Sequence, residues 1–319
     1  MKTTTSIVLT IAVIALAGCA PAEPPQAEVP APEGLENGSF TASLNGFDIH
    51  YEVWGQGPAL MVLSNSWGLS TEGLRGIFEP LEKRLTMVYF DPRGMGESAE
   101  IMEEADMGMA AVRADFQALR EHLGLESVNA IGWSNGASNL IMLAAELPET
   151  IDSAIFLHGA ASFTQEDMVT YASQYPEVFE AWTRLLQELQ NPDLTDNQRT
   201  ETMRAMWLGE WFPVSFADPA AAPEILDRIF GDAEFSWPHA DYSQREHPDF
   251  DVRNLLPQIT ARSLVITGAH DTMPVSKGEE MAAAIPDAEF VLFESSGHYA
   301  PAEEPAAFEE LIFRFLGVN

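Results

Sequence analysis

The chain has 319 residues, with 49 Asp+Glu against 16 Lys+Arg and a formal net charge of -33. A hydrophobic share of 46% excludes a disordered chain despite that charge, and the acidity excludes nucleic acid as a partner, because phosphate binding needs a Lys/Arg surface. The lone cysteine, Cys19, excludes an intramolecular disulfide and a Cys-based metal cluster.

The first five residues carry one positive charge, Lys2, and an apolar stretch over 7–17 follows. That stretch is too short to span a bilayer comfortably and fits a signal-peptide core. The segment Leu16-Ala17-Gly18-Cys19 resembles the lipobox of bacterial lipoproteins. The resemblance implies cleavage after residue 18 and a diacylated Cys19, and Ala20 in place of Asp implies sorting to the outer membrane. Residues 19–38 are rich in Pro, Ala and Glu and cannot bury a core, so they read as a tether reaching up to roughly 60 Å. The lipid on Cys19 is then the only membrane contact expected.

Two alternating runs, 40–44 and 47–54, flank Asn45-Gly46, the strongest short hairpin signal. Short continuous apolar runs at 59–64, 86–90, 128–131, 154–157, 263–267 and 290–293 suit buried parallel strands. Between them lie segments of helical period at 73–84, 110–123, 137–147, 277–285 and 303–316. This alternation predicts an α/β class, with a mostly parallel eight-stranded sheet flanked by helices. The core is assigned to 39–159 and 255–319. The interval 160–254 breaks the rhythm: it shows no convincing strand, several helical stretches including 166–189 and 198–208, and Trp182, Trp207, Trp211 and Trp237. It reads as a helical cap over the carboxyl ends of the strands. No internal repeat is present.

The pentad Gly132-Trp133-Ser134-Asn135-Gly136 follows one strand run and opens a helix. A sharp strand-to-helix turn forces its central residue into a strained conformation, and flanking glycines relieve the clashes, presenting Ser134 Oγ at the sheet edge. A serine hydroxyl needs an imidazole base, itself oriented by a carboxylate. His298, in Ser296-Gly297-His298, follows the last strand run, and Asp271, in Gly268-Ala269-His270-Asp271, follows the run before it. The order Ser134, Asp271, His298 is the one expected of an α/β-hydrolase. His50, His122, His158, His239 and His247 show no metal spacing and read as structural or surface residues.

From residue 38 onward the chain resembles an α/β-hydrolase of the proline-iminopeptidase and enol-lactonase neighbourhood. Three further segments carry the resemblance: Asp91-Pro92-Arg93-Gly94-Met95-Gly96-Glu97-Ser98, Leu63-Ser64-Asn65-Ser66-Trp67-Gly68, and Glu294 to His298 with Glu303-Glu304-Pro305. The first reads as scaffold, the second as the oxyanion segment. The backbone N–H of Asn135 is expected in the oxyanion hole from its place after the serine, and that of Trp67 from the family's loop, with Ser66 its neighbouring candidate. Some relatives place the acid after the sixth strand, where this chain has His158-Gly159-Ala160 and no carboxylate. The expected activity is hydrolysis of a carboxylic ester or lactone through an acyl-enzyme, on a small-molecule acyl substrate, with no metal or organic cofactor. The elbow and oxyanion loop depart from the usual proline-iminopeptidase forms. An aminopeptidase remains the alternative, with Glu177, Glu180, Glu201 and Glu210 as candidate ammonium ligands, and a non-catalytic lipid-anchored binding protein is the alternative of a different class.

Overall fold

A computed structural model describes residues 35–318 of the chain. Cys19, the signal segment and most of the tether lie outside the described residues. The hairpin forms where Asn-Gly places it: β1 (Gly38–Leu44) and β2 (Phe47–Gly55) pair antiparallel, with Leu44 opposite Phe47. Asn45 and Gly46 both take positive φ, 50° and 89°, as a two-residue hairpin turn of this type requires.

The remaining elements follow in alternation: β3 (Ala59–Leu63), α1 (Thr71–Phe78), β4 (Thr86–Phe90), α2 (Met109–His122), β5 (Val128–Trp133), α3 (Asn135–Glu146) and β6 (Ile151–Leu157). Next come β7 (Ser162–Phe163), then α4 (Gln165–Gln174), α5 (Pro176–Leu189), α6 (Asp196–Met206), α7 (Ala222–Phe230) and α8 (Trp237–Glu246), and then β8 (Phe250–Asp251). The chain closes with β9 (Arg262–Gly268), α9 (Val275–Ala284), β10 (Ala288–Phe293), α10 (Ala300–Glu303) and α11 (Pro305–Leu316). Eight strands form one sheet in the order β1-β2-β4-β3-β5-β6-β9-β10, and only β2 runs against its neighbours.

Alternate residues of each central strand feed two cores. Leu60, Val62, Ile131 and Leu264 pack on one face with α1 and α11, while Met61, Leu63, Ala130 and Val265 pack on the other with α2, α3 and α9. Burial on both faces explains the unbroken apolar runs. Strand β10 carries the same signal, yet only its Phe293 is fully buried, because it is the sheet's edge.

Three helical stretches read as continuous are interrupted at prolines. The run 73–84 is α1 followed by a 3₁₀ turn, Glu79–Lys83, containing Pro80. The run 166–189 divides into α4 and α5 at Pro176, and 303–316 divides into α10 and α11 at Pro305. A proline has no N–H for the preceding turn and disfavours helical geometry in the residue before it. The interval after β6 also holds strand after all: β7 and β8 form a two-residue antiparallel ladder, Ser162 with Asp251 and Phe163 with Phe250. That ladder brings the two ends of the five-helix segment α4–α8 together. No helix among the described residues is long and apolar enough to cross a membrane.

Candidate active site

The turn between β5 and α3 places Ser134 at φ 57°, ψ -120°, outside the helical region and rare for a residue with a Cβ. The flanking glycines are required by close approach. A Cβ on Gly132 would lie 2.4 Å from the Gly136 carbonyl oxygen, and one on Gly136 would lie 2.4 Å from the Leu63 carbonyl oxygen. Backbone cannot move aside as a side-chain tip can. Ser134 is half-buried and lines a cavity of about 330 Å³ together with Asp271 and His298. The three residues picked from the sequence are thus brought to one cavity, each from the loop after a different strand.

Asp271 is buried on the β9–α9 loop, where its Oδ1 accepts the Met273 N–H at 2.9 Å. Its Oδ2 accepts the His298 Nδ1–H at 2.8 Å. Burial would push this carboxyl up, but the charge and hydrogen bond of His298 and the close approach of the His158 ring outweigh it and hold the carboxyl well below the usual carboxylate range. With its Nδ1–H committed to Asp271, His298 keeps the Nε2 lone pair available. Ser134 Oγ makes no side-chain hydrogen bond among the described residues; such bonds often tighten only when substrate arrives. His270, next to the acid, is exposed.

The loop carrying His298 is clamped from two sides. The His298 N–H donates to the Ser215 carbonyl oxygen of the helical segment at 2.6 Å. The Glu303 carboxylate accepts the N–H groups of Gly297 and Ala217 at 2.8 Å and of Tyr299 at 3.3 Å. Burial raises the Glu303 carboxyl, against the opposing pull of those three donors. Trp133 adds a third hold, its indole N–H donating to the His298 carbonyl oxygen at 3.0 Å.

Across the cavity, Asn135 Oδ1 accepts the Ser66 N–H at 2.8 Å and the Ser66 hydroxyl at 2.9 Å, and Asn65 Oδ1 accepts the Gly136 N–H at 2.6 Å. These bonds lock the 63–68 loop to the start of α3. They also separate the two oxyanion candidates: the Ser66 N–H is occupied, while those of Trp67 and Asn135 have no partner among the described residues. Both residues line the cavity.

The cavity wall is aromatic. Trp182, Trp207 and Trp211 of the helical segment line it, with ring centroids 5.2 Å apart for Trp182–Trp211 and 5.4 Å for Trp207–Trp211. Trp67 meets Trp207 at 5.2 Å. Trp237, grouped with them from the sequence, is not among the lining residues. Tyr171 also lines the wall; burial pushes its phenol up to about 12, and its oxygen accepts the Trp211 indole N–H at 3.0 Å. Glu177, Glu180, Glu201 and Glu210 are all exposed, and Asp271 is the sole carboxylate among the lining residues.

The Asp91 turn is scaffold. Asp91 is fully buried and accepts from His50 Nδ1 at 2.8 Å, the Thr71 N–H at 2.7 Å and the Glu97 N–H at 3.1 Å. Sequence reasoning missed Trp133, Ser215 and Glu303 as holders of the histidine loop. It also set His158 aside, although that residue stands at the alternative acid position and proves to touch Asp271.

A mostly parallel sheet flanked by helices, with a strained strand-to-helix turn at Ser134 and an acid–histidine pair lining the same cavity, has the features of an α/β-hydrolase fold. Residues 59–305 match the family described as alpha/beta hydrolase fold, and the chain belongs to it. Among curated proteins it is 24% identical over 276 residues to a pimeloyl-[acyl-carrier protein] methyl ester esterase of Vibrio vulnificus (strain YJ016), covering 85% of this chain and 98% of that one. Among solved structures, the enol-lactonase from Burkholderia xenovorans LB400 superposes with a TM-score of 0.64 at 24% identity, covering 87% of this chain and 99% of that one. A proline iminopeptidase of Mycobacterium smegmatis gives 0.62 at 18% identity, covering 88% and 98%. At these identities the structural likenesses establish the fold alone.

Proposed function

We propose that the protein is a serine hydrolase that cleaves an uncharged carboxylic ester or lactone through an acyl-enzyme on Ser134. The observation that carries this reading is the shared cavity, in which the Asp271–His298 pair faces the turn bearing Ser134 and no other carboxylate lines the wall. In the first step Ser134 Oγ attacks the acyl carbonyl while His298 Nε2 takes its proton. His298 then gives that proton to the leaving oxygen, and Asp271 stabilises the transient imidazolium. The N–H groups of Asn135 and Trp67 hold the tetrahedral oxyanion, each worth about 10²–10³ in rate in comparable sites. Water, activated in turn by His298, releases the acid.

The wall chemistry favours ester over aminoacyl amide. An aminopeptidase has to neutralise a substrate ammonium, and the four glutamates that could do so are exposed and not among the residues lining the cavity. An aromatic pocket instead rewards an apolar acyl or alcohol group at about 25 cal/mol per Å² buried. The esterase relative from Vibrio vulnificus supports the same direction. The reading extends to the N-terminus: a lipid on Cys19 anchors the protein to the outer membrane, and the tether holds the hydrolase clear of the surface.

Comparing p-nitrophenyl butyrate with proline p-nitroanilide on the purified protein tests the substrate class. The expected result is a kcat/KM at least roughly 10²-fold higher for the ester, in line with the cost of leaving a substrate charge unpaired in an apolar pocket. A preference for the anilide contradicts it.

A further inference from the structure

One ionisable group beside the site has no part in the mechanism above. His158 follows β6 directly and takes φ 52°, a conformation shared among described non-glycine residues only by Asn45 and Ser134. Asn45 sits in a hairpin and Ser134 in the elbow; His158 has neither excuse, and such strain persists only where surroundings impose it. Its side chain is fully buried, and its ring centroid lies 5.2 Å from that of His298.

The proton on His158 can be placed. Nε2 accepts the Ala300 N–H at 3.4 Å, which puts the imidazole proton on Nδ1. Nδ1 lies 3.1 Å from Asp271 Oδ2, an approach too bent for a full hydrogen bond, and has no other partner among the described residues. The charged or titratable groups facing the ring are Asp271, from the β9–α9 loop, and His298, from the β10–α10 loop. Tyr171 of α4, Tyr175 just after it, Tyr299 of the His298 loop and Glu303 of α10 lie further out around the same carboxylate. Burial holds the His158 ring below its usual range, against the pull of Asp271, so it stays neutral.

We propose that His158 is a positioning residue of the active site, a neutral second imidazole whose Nδ1–H lies against Asp271 Oδ2, the oxygen that accepts from His298. This rests on the triad reading. The contact fixes the rotation of the Asp271 carboxylate, whose Oδ1 is already held by Met273. It also spreads the acid's charge over two imidazoles and so limits how strongly Asp271 favours a proton on His298. Ligand atoms of His158, Asp271 and His298 lie within 4.8 Å of one another, but a cation on His158 Nδ1 would move the proton to Nε2, against the Ala300 N–H. Two donors would then face each other in a buried place, which argues against a metal.

Two variants of the full chain separate positioning from packing. His158→Leu fills the space without a donor. His158→Asn keeps an amide N–H near the Nδ1 position and tolerates positive φ. With p-nitrophenyl butyrate, His158→Leu is expected to move the acid limb of kcat/KM to higher pH by about 0.5–1 unit and to lower kcat about tenfold with KM within about twofold. His158→Asn keeps the limb at its wild-type position. Superimposed limbs for wild type and His158→Leu, or equal shifts in both variants, overturn the proposal. Should His158→Leu not fold, His158→Gln replaces it, since its amide reaches the Nε2 position; an unmoved limb there overturns the proposal too. Ser134→Ala is run in parallel: turnover that persists in it refutes the triad reading itself, whereas its loss leaves that reading standing whatever the His158 variants show.

Discussion

At Ser134 the backbone is strained at the junction of β5 and α3, and the residue lines the cavity. Gly136 makes that turn possible, because its N–H reaches Asn65 Oδ1 at 2.6 Å and its Cα packs under the Leu63 carbonyl. Gly136→Ala drives a Cβ to 2.4 Å from that oxygen, so either the elbow or the 63–68 loop has to shift. Overpacking of this kind costs about 1–3 kcal/mol of stability. Displacing the Asn135 N–H by a fraction of an ångström is expected to lower kcat by about 10²-fold. Denaturant melts with ester kinetics check this, and a variant with wild-type kcat contradicts the role given to the turn. Ser134, Asp271 and His298 were legible because each belongs to a short motif beside a strand signal. The roles of His158 and Ser215 were not, because their partners are remote in sequence: His158 meets Asp271 across the sheet edge, and Ser215 reaches His298 from the helical segment; Glu303 stood in a motif, but the sequence does not show that its carboxylate holds the histidine loop.

Elements are positioned by a few buried charges as much as by apolar packing. Arg93, from the turn after β4, donates to Asp115 of α2 and to Asp106, both at 2.8 Å, while its guanidinium lies 4.1 Å from the Phe47 ring centroid of β2. Its backbone carbonyl is joined to His239 Nε2 of α8 at 2.8 Å, tying the helical segment to the core. Arg93→Met removes the cation shared by Asp106 and Asp115, and loss of one partner from such a buried cluster costs about 3–5 kcal/mol. Urea unfolding is the check; a loss under about 1 kcal/mol would mean that water screens the site. Hydrolysis per folded molecule should survive, since the side chain is remote from the cavity lining. The alternation of strand and helix is readable from periodicity alone, but apolar periodicity runs on through Pro80, Pro176 and Pro305 and so hides the interruptions there. The two-residue ladder of β7 and β8 is too short to leave any periodic trace.

For the whole molecule, the net charge of -33 on 319 residues is a surface property and says little about the chemistry within. The cavity is walled mostly by aromatic rings, with Asp271 the sole carboxylate among its lining residues, so an acidic exterior and a largely apolar cavity coexist. Composition excluded partners, periodicity gave the layered fold, and motif order placed the serine, acid and base on one edge of the sheet. Substrate class was the least legible, because the cavity wall comes from α4–α8, whose residues meet only after folding. The central claim is that Ser134 is the nucleophile, and covalent labelling tests it most directly. A fluorophosphonate probe followed by peptide mapping should place the adduct on Ser134, with labelling lost in Ser134→Ala and strongly slowed in His298→Ala. An unlabelled wild-type protein, or an adduct that persists in Ser134→Ala, would contradict the account.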